Sequence, residues 1–527
     1  MNLARLIDDL SRPNAYPVPI KVIEVRQTHI SAVFLAGDLV YKVKKPVKLG
    51  FLDFSTLELR RHYCDEEVRL NRRLAPDVYL GVVPIASTTD GLAFEAAGDA
   101  VEWAVKMRRL PDNATLLSRL SRGEVTEQQL AALAGRLAEF HRKAGSSSAV
   151  AACGRLEVVA RNARENFEQA EPEVGTTVTR GVFDRLRSLT EAALANLGSL
   201  IDARAERGVP RDTHGDLHLD HVYLFPERMP PNDLVIIDCI EFNERFRFAD
   251  PIADVAFPVM DLKFRGYRDL AVAFAQAYAH ASGDAEGMRL MPFYTAYRAV
   301  VRAKVEGFEL REPEIPADER TDAVRRARGH WLLALGELAS PDHRPALLLI
   351  GGLPGTGKST LARELCAKAG TIVVRSDEVR NEIAAAVPVG TATLEGGKYT
   401  PAWTERTYAE CTRRAEQLLL DGQRVVVDAN FREEAQRSLF VALANRLAVP
   451  ILFVICVADP SVVRERLAKR RGDASDADWQ VYQWAAARWQ EPTKPWPGRL
   501  VTLRTDMAIE DATATVLREL RQESLAT

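Results

Sequence analysis

Leu349-Ile350-Gly351-Gly352-Leu353-Pro354-Gly355-Thr356-Gly357-Lys358-Ser359-Thr360 decides how the last third of the chain is read. The apolar run from Ala346 to Ile350 predicts a buried parallel strand, and Leu361 to Lys368 predicts a helix. Between them, starting at Gly352, the spelling is G-x-x-x-x-G-K-S, that of a phosphate-binding loop. Its glycines let backbone N–H groups converge on phosphate oxygens, and the helix N-terminus adds positive potential. Gly352, Gly355, Thr356, Gly357 and Thr360 are therefore candidates to cradle the phosphates of ATP. Lys358 can reach the β- and γ-phosphates, and the Ser359 hydroxyl can hold Mg²⁺.

Downstream, Thr371 to Val374 predicts a second strand leading into Arg375-Ser376-Asp377-Glu378-Val379-Arg380. Ligands of open parallel sheets sit beyond the carboxyl ends of the strands, so Asp377 should face the crevice of Lys358. Arg380 lies one helical turn later and can point the same way. The pair offers a base for an acceptor hydroxyl and a cation for an anionic group. Val425 to Val427 predicts another strand ending at Asp428, where a metal-side carboxylate belongs. Val463 to Arg471 predicts a basic helix whose Arg466 and Arg470 could close over phosphates as a lid.

Upstream, Lys21 to Val25, Ala32 to Ala36 and Leu39 to Lys44 predict three strands, with Gly37-Asp38 as a hairpin turn. Side chains alternate along a strand, so Lys42 and Lys44 share a face, and either could hold ATP phosphates. Tyr63 to Leu74 predicts a helix carrying Glu66 and Glu67, candidates to pair with the strand lysine. Further on stands Thr213-His214-Gly215-Asp216-Leu217-His218-Leu219-Asp220-His221, and then the apolar strand Leu234 to Ile237 ending at Asp238. Phosphoryl transfer to a hydroxyl needs one carboxylate beside the acceptor and another on the metal. Asp216 and Asp238 stand where kinases place those two.

His214-Gly215-Asp216-Leu217-His218, Ile236-Ile237-Asp238 and Asp250-Pro251-Ile252-Ala253-Asp254 resemble the motifs of the aminoglycoside phosphotransferase family, across roughly Val22 to Phe308. The resemblance implies Asp216 as catalytic base, Asp238 as Mg²⁺ ligand, and Lys42 paired with Glu67 at the ATP phosphates. That family has an asparagine metal ligand five residues after the catalytic aspartate, where this chain has His221. Imidazole suits Mg²⁺ less well than an amide oxygen, so His221 is a doubtful ligand. The last third resembles small P-loop kinases such as polynucleotide kinase, chloramphenicol phosphotransferase and zeta-toxin-like enzymes. The expected fold is thus mixed α/β and α+β. A bilobal kinase-like domain, residues 1–339, is joined by a linker, 340–345, to a P-loop parallel sheet sandwiched by helices, 346–527.

The chain has 527 residues, room for two or three domains, and a formal net charge of −3, which supplies no general field for nucleic acid or anionic membranes. Its six cysteines form no C-x-x-C pair, and the first residues lack a signal-peptide core, so a cytoplasmic location is expected. Together these features predict an ATP- and Mg²⁺-dependent phosphotransferase acting on a small hydroxyl compound, with two nucleotide sites. Two other readings stay open: a nucleic-acid-end kinase, and a first domain that senses ATP and regulates the second.

Overall fold

The computed structural model describes residues 3–50, 52–311, 315–386, 400–469 and 477–521. Contact density divides the chain into two compact units. One comprises Met1–Val159, Gly198–Asp261 and Asp269–Met288; the other comprises Ala160–Leu197, Leu262–Arg268 and Arg289–Thr527.

In the first unit, strands β1 (Ile23–Gln27), β2 (Ser31–Ala36) and β3 (Leu39–Lys44) are followed by helix α1 (Leu57–Asn71). Strands β4 (Tyr79–Thr88), β5 (Gly91–Phe94) and β6 (Ala100–Arg108) complete a six-stranded sheet in the order β1-β2-β3-β6-β4-β5. All its pairings are antiparallel. Gly37, at φ 63°, turns β2 into β3, the left-handed geometry that a tight hairpin needs. Lys42 pairs across to Val33 and Val105, while Lys44 pairs to Ser31, which leaves both lysines on one face. Thr56 caps α1 by accepting from the Leu59 N–H. Phe34, Tyr41 and Phe94 pack the opposite face with Leu6 and Leu10.

Helix α2 (Glu127–Lys143) starts at a capping box between Thr126 and Gln129 and buries Leu130, Leu133 and Leu137 at helical spacing. The short hairpin β7 (Val222–Leu224) and β8 (Leu234–Ile236) brings the segment after His221 alongside the segment before Asp238. Helix α3 (Pro251–Phe264) carries Asp254 in its first turn.

In the second unit, helices α4 (Met291–Glu309) and α5 (Ala317–Leu338) pack on each other. The sheet follows: β9 (Ala346–Gly351), β10 (Ile372–Arg375), β11 (Arg424–Asp428), β12 (Ile451–Val457) and β13 (Arg499–Arg504). All are parallel, in the order β10-β11-β9-β12-β13. The crossovers are helical: α6 (Lys358–Ala369), α7 (Ser376–Ala386) with α8 (Pro401–Leu420), α9 (Glu434–Arg446), and α10 (Pro460–Lys469) with α11 (Trp479–Ala486); α12 (Ile509–Arg521) closes the unit. Leu348, Ile350, Val426 and Val454 pack on one face against Leu361, Leu365 and Val516 of α6 and α12. Phe453 meets Phe431 on the other face, and Phe431 meets Tyr408 of α8 and Phe440 of α9. Strands buried on both faces read as the continuous apolar runs seen in the sequence. Among the described residues, no helix is long and apolar enough to cross a membrane.

Candidate active sites

The phosphate loop joins β9 to α6. Its shape demands glycine at three points. Gly352 has φ +131°, and a Cβ there would lie 2.3 Å from the Cys456 carbonyl oxygen. At Gly355, φ +80°, a Cβ would come within 2.9 Å of Val463; at Gly357, φ +87°, it would lie 3.4 Å from Thr505. Thr356 turns inward and its hydroxyl donates to the Leu353 carbonyl at 2.8 Å, so it shapes the loop. Lys358 Nζ curls over the loop and donates to the same carbonyl at 2.9 Å.

A cleft of about 470 Å³ opens at the carboxyl ends of the strands. Lys358, Ser359 and Thr360 line it together with Asp377, Arg380 and Asp428. Register explains this convergence: Asp428 lies level with Ile350 of β9 and with Arg375 of β10. Burial raises the Asp428 carboxyl pKa, against the Lys358 charge, a hydrogen bond from Ser359 and the Arg375 charge. Arg375 Nε stands 3.4 Å from that carboxylate. Asp377 and Arg380 meet each other, Arg380 Nη1 lying 2.7 Å from Asp377 Oδ1. Arg466 donates through Nη2 to the Thr505 carbonyl at 2.8 Å, while its buried Nη1 has no hydrogen-bond partner among the described residues. That Nη1 is 3.5 Å from the point where a Gly357 Cβ would be. A glycine cradle with no room for a Cβ at Gly352 or Gly355, beside an unsatisfied buried guanidinium nitrogen, fits an anionic phosphate chain. Ser359 and Asp428 supply oxygen donors suited to Mg²⁺. Arg470 lies outside the described residues.

In the first unit, Lys42 Nζ is 2.9 Å from Glu67 Oε1 and 2.7 Å from Asp238 Oδ1. Burial pulls the Lys42 pKa down, but the charges of Asp238, Glu67 and Glu241 outweigh it and hold the pKa well above its ordinary value. Lys44 is fully buried; it pairs with Glu67 Oε2 at 2.7 Å and with Glu241. Glu66 instead pairs with Arg69 on the helix surface. Glu67 thus serves both lysines, and Lys42 is the one that also reaches Asp238. Asp238 itself sits at φ 65°, a left-handed conformation uncommon outside glycine but tolerated by aspartate, which turns the chain sharply after β8.

Asp216 Oδ1 lies 2.9 Å from His218 Nε2, and His218 Nδ1 lies 3.4 Å from the buried Asp261. The loop is anchored by Asp254, which accepts from the His214 N–H at 3.0 Å and the Gly215 N–H at 2.8 Å. Burial alone would raise the Asp254 carboxyl; hydrogen bonding and charge from His141, with His214, bring it down to about 2. His141 is therefore a buried anchor, bonded to Asp254 at 3.1 Å and to the Tyr278 hydroxyl at 2.8 Å. His221 donates from Nδ1 to the Asp216 carbonyl at 2.8 Å, which turns Nε2 toward Asp238 Oδ2 at 3.6 Å. Nε2 and Oδ2 thus form a nitrogen–oxygen pair, a donor set less suited to Mg²⁺ than oxygen alone.

Sequence patterns did not single out Glu241 or Asp261, nor Tyr408 in the second cleft. Each lies far along the chain from the group it meets, and no spacing rule marks it. Arg432 was visible only as part of the polar run after β11.

A family model described as an AAA domain matches residues 347–492. The chain is 35% identical over 480 residues to the uncharacterized protein Rv2004c of Mycobacterium tuberculosis strain H37Rv, an alignment covering 90% of this chain and 92% of the relative. The uncharacterized protein Mb2027c of Mycobacterium bovis matches with the same identity and coverage. Among solved structures, a GDP complex of aminoglycoside 2′-phosphotransferase-IIIa is similar at 17% identity and TM-score 0.39, covering 62% of this chain and 98% of that one. A sugar kinase from Janibacter sp. HTCC2649 is similar at 16% identity and TM-score 0.27, covering 35% of this chain and 99% of that one.

Proposed function

Because this chain belongs to the same family as the mycobacterial proteins Rv2004c and Mb2027c, with which it shares nearly its whole length, we propose one function for that two-part layout. It is an ATP-dependent phosphotransferase with a nucleotide site in residues 1–339 and another in 346–527. The carrying observation is the single cleft that gathers Lys358, Ser359, Asp377, Arg380 and Asp428. In the transfer, the acceptor oxygen bonds to the γ-phosphorus of ATP and the β–γ bridge bond breaks. Asp377 takes the acceptor proton, and ADP leaves. Lys358 and Arg466 hold the phosphate chain, the glycine loop shapes its seat, and Arg380 orients Asp377 and the acceptor. Mg²⁺, held by Ser359 and Asp428, would neutralise charge on the phosphates. In the first site Asp216 is the corresponding base, Lys42 with Glu67 holds phosphates, and Asp238 would hold Mg²⁺.

The acceptors are small hydroxyl compounds, and the location is cytoplasmic, which thiol forms of all six cysteines support. The test is a metabolite screen for ATP-dependent phosphorylation by the full chain and by its Lys358→Ala and Asp216→Ala variants. Each variant should lose a different activity. Loss of every activity in either folded variant would instead favour a second reading, supported by His221 at the first metal position, in which that site senses ATP and regulates the P-loop site.

A further inference from the structure

The P-loop cleft has an acceptor end whose side chains the transfer chemistry leaves unexplained. We infer that the acceptor bound there carries both an anionic group and a planar ring; this rests on the phosphotransferase reading of the same cleft. Arg432 and Trp484 line the cleft with Asp377, Arg380 and Tyr408. The Arg432 guanidinium lies 4.3 Å from the centre of the Trp484 ring, and that of Arg488 lies 4.8 Å from it. Trp484 is nonetheless 47% exposed, a large apolar surface left open inside a polar cleft. An indole in that setting is a stacking platform, and an arginine beside it raises its affinity for flat, electron-rich groups.

The anionic group follows from Arg432. Its side chain is 13% exposed; Nη2 pairs with Glu433, and the buried Nε has no hydrogen-bond partner among the described residues. A buried unsatisfied N–H is costly, and an oxyanion satisfies a guanidinium edge with parallel hydrogen bonds. Arg380 adds a second guanidinium to the cleft lining, paired to the base Asp377. Glu433 engages Arg432 through Nη2, and Asp377 engages Arg380.

The arrangement is built rather than incidental. Arg432 follows Phe431, which is held at φ 50°, a strained conformation for an aromatic residue. Tyr408, Phe440 and Phe453 clamp the Phe431 ring, and Arg437 Nε donates to its carbonyl at 2.8 Å. The chain just beyond α11 is tied to the same turn: the Gln490 N–H donates to the Arg432 carbonyl at 3.0 Å, and the Glu434 N–H donates to Gln490 Oε1 at 2.8 Å. Strain on one side and anchoring on the other keep Arg432 and Trp484 facing each other. A formal net charge of −3 offers no field that would track a nucleic-acid backbone, so the acceptor is a small molecule.

The experiment measures equilibrium binding to the full chain saturated with a non-hydrolysable ATP analogue and Mg²⁺. The probes are cytidine 3′-monophosphate, cytidine and D-gluconate, which present ring with anion, ring alone and anion alone. Cytidine 3′-monophosphate should bind at least tenfold tighter than either of the others. Trp484→Ala and Arg432→Gln should each weaken it about tenfold or more, Trp484→Phe should keep most of it, and all three should bind the ATP analogue as the parent does. Equal affinity for the three probes, no binding of any of them, or indifference to both variants overturns the inference. Tighter binding of a 5′-hydroxyl oligonucleotide than of the mononucleotide also overturns it, in favour of a nucleic-acid end. Failure of the parent chain to bind the ATP analogue is a different result, and it sinks the phosphotransferase reading itself.

Discussion

His214 Nε2 stands 2.9 Å from the carbonyl oxygen of Ile237. This hydrogen bond ties the loop that carries Asp216 to the strand end that carries Asp238. The second ring nitrogen, Nδ1, accepts from the Asp216 N–H at 3.3 Å. A ring that donates from one nitrogen and accepts at the other is neutral.

That relationship sets a pH dependence. Burial drives the His214 pKa down from 6.5 to about 4, against the nearby Asp254 charge. The folded protein therefore resists protonation while the unfolded chain accepts it, and stability falls as pH drops from about 6.5 to about 4. The loss should reach roughly 3 kcal/mol at the acid end of that window. Denaturant unfolding between pH 4 and pH 7 checks this by comparing the parent with His214→Gln, whose slope in that window should be shallower. Parallel slopes would show that another group titrates.

Lys42 and Lys44 share Glu67 but should fail differently. Lys44→Met strands Glu67 Oε2 and Glu241 in the core, and breaking a buried pair in this way costs about 3–5 kcal/mol. Lys42→Met leaves Glu67 paired with Lys44, so it should fold and lose Mg²⁺-ATP affinity in the first site. Thermal unfolding and nucleotide binding, measured on a Lys358→Ala background to isolate that site, separate the two. Equal destabilisation by both substitutions would contradict the assignment of Lys42 to the phosphates.

Asp377→Asn should lower kcat of the P-loop activity by about 10²–10⁴-fold, the usual cost of losing a general base, with ATP affinity nearly unchanged. Asparagine still accepts a hydrogen bond from Arg380, so the fold of α7 should survive. Steady-state kinetics with ATP and acceptor varied separately gives the answer. A normal turnover rate would move the base assignment to Asp428.

Gly352→Ala should abolish nucleotide binding at the P-loop and lower the melting temperature. Its Cβ would sit 2.3 Å from the Cys456 carbonyl oxygen, a backbone atom that cannot swing away, at φ +131°. Strain of this kind costs about 1–3 kcal/mol. Gly370→Ala, at φ +57° with nothing among the described residues within 4 Å of its Cβ, is the control: it should bind nucleotide normally. Retained binding in Gly352→Ala would mean that the loop relaxes without penalty.

The amino-acid sequence alone was enough to place the phosphate loop, because its constraints are local. Gly352, Gly355 and Gly357 answer to backbone angles and close contacts within one turn, and the flanking apolar strand and helix declare themselves by composition and period. It also located Asp377 and Asp428, since any residue just past a parallel strand reaches the same crevice. Spacing could not choose between Lys42 and Lys44, which alternate onto one face of β3, or between Glu66 and Glu67, which are neighbours on α1; the family resemblance pointed to Lys42 with Glu67. The packing of α1 against the sheet decided that Glu67 turns inward, and the left-handed turn at Asp238 brought a second carboxylate to Lys42. The pairing of Arg432 with Trp484 was equally hidden. It depends on a strained turn clamped by aromatic rings and on a strand–helix connection tied down by Gln490. Such contacts join residues far apart in the chain, and their energy comes from burial and geometry that no local pattern encodes.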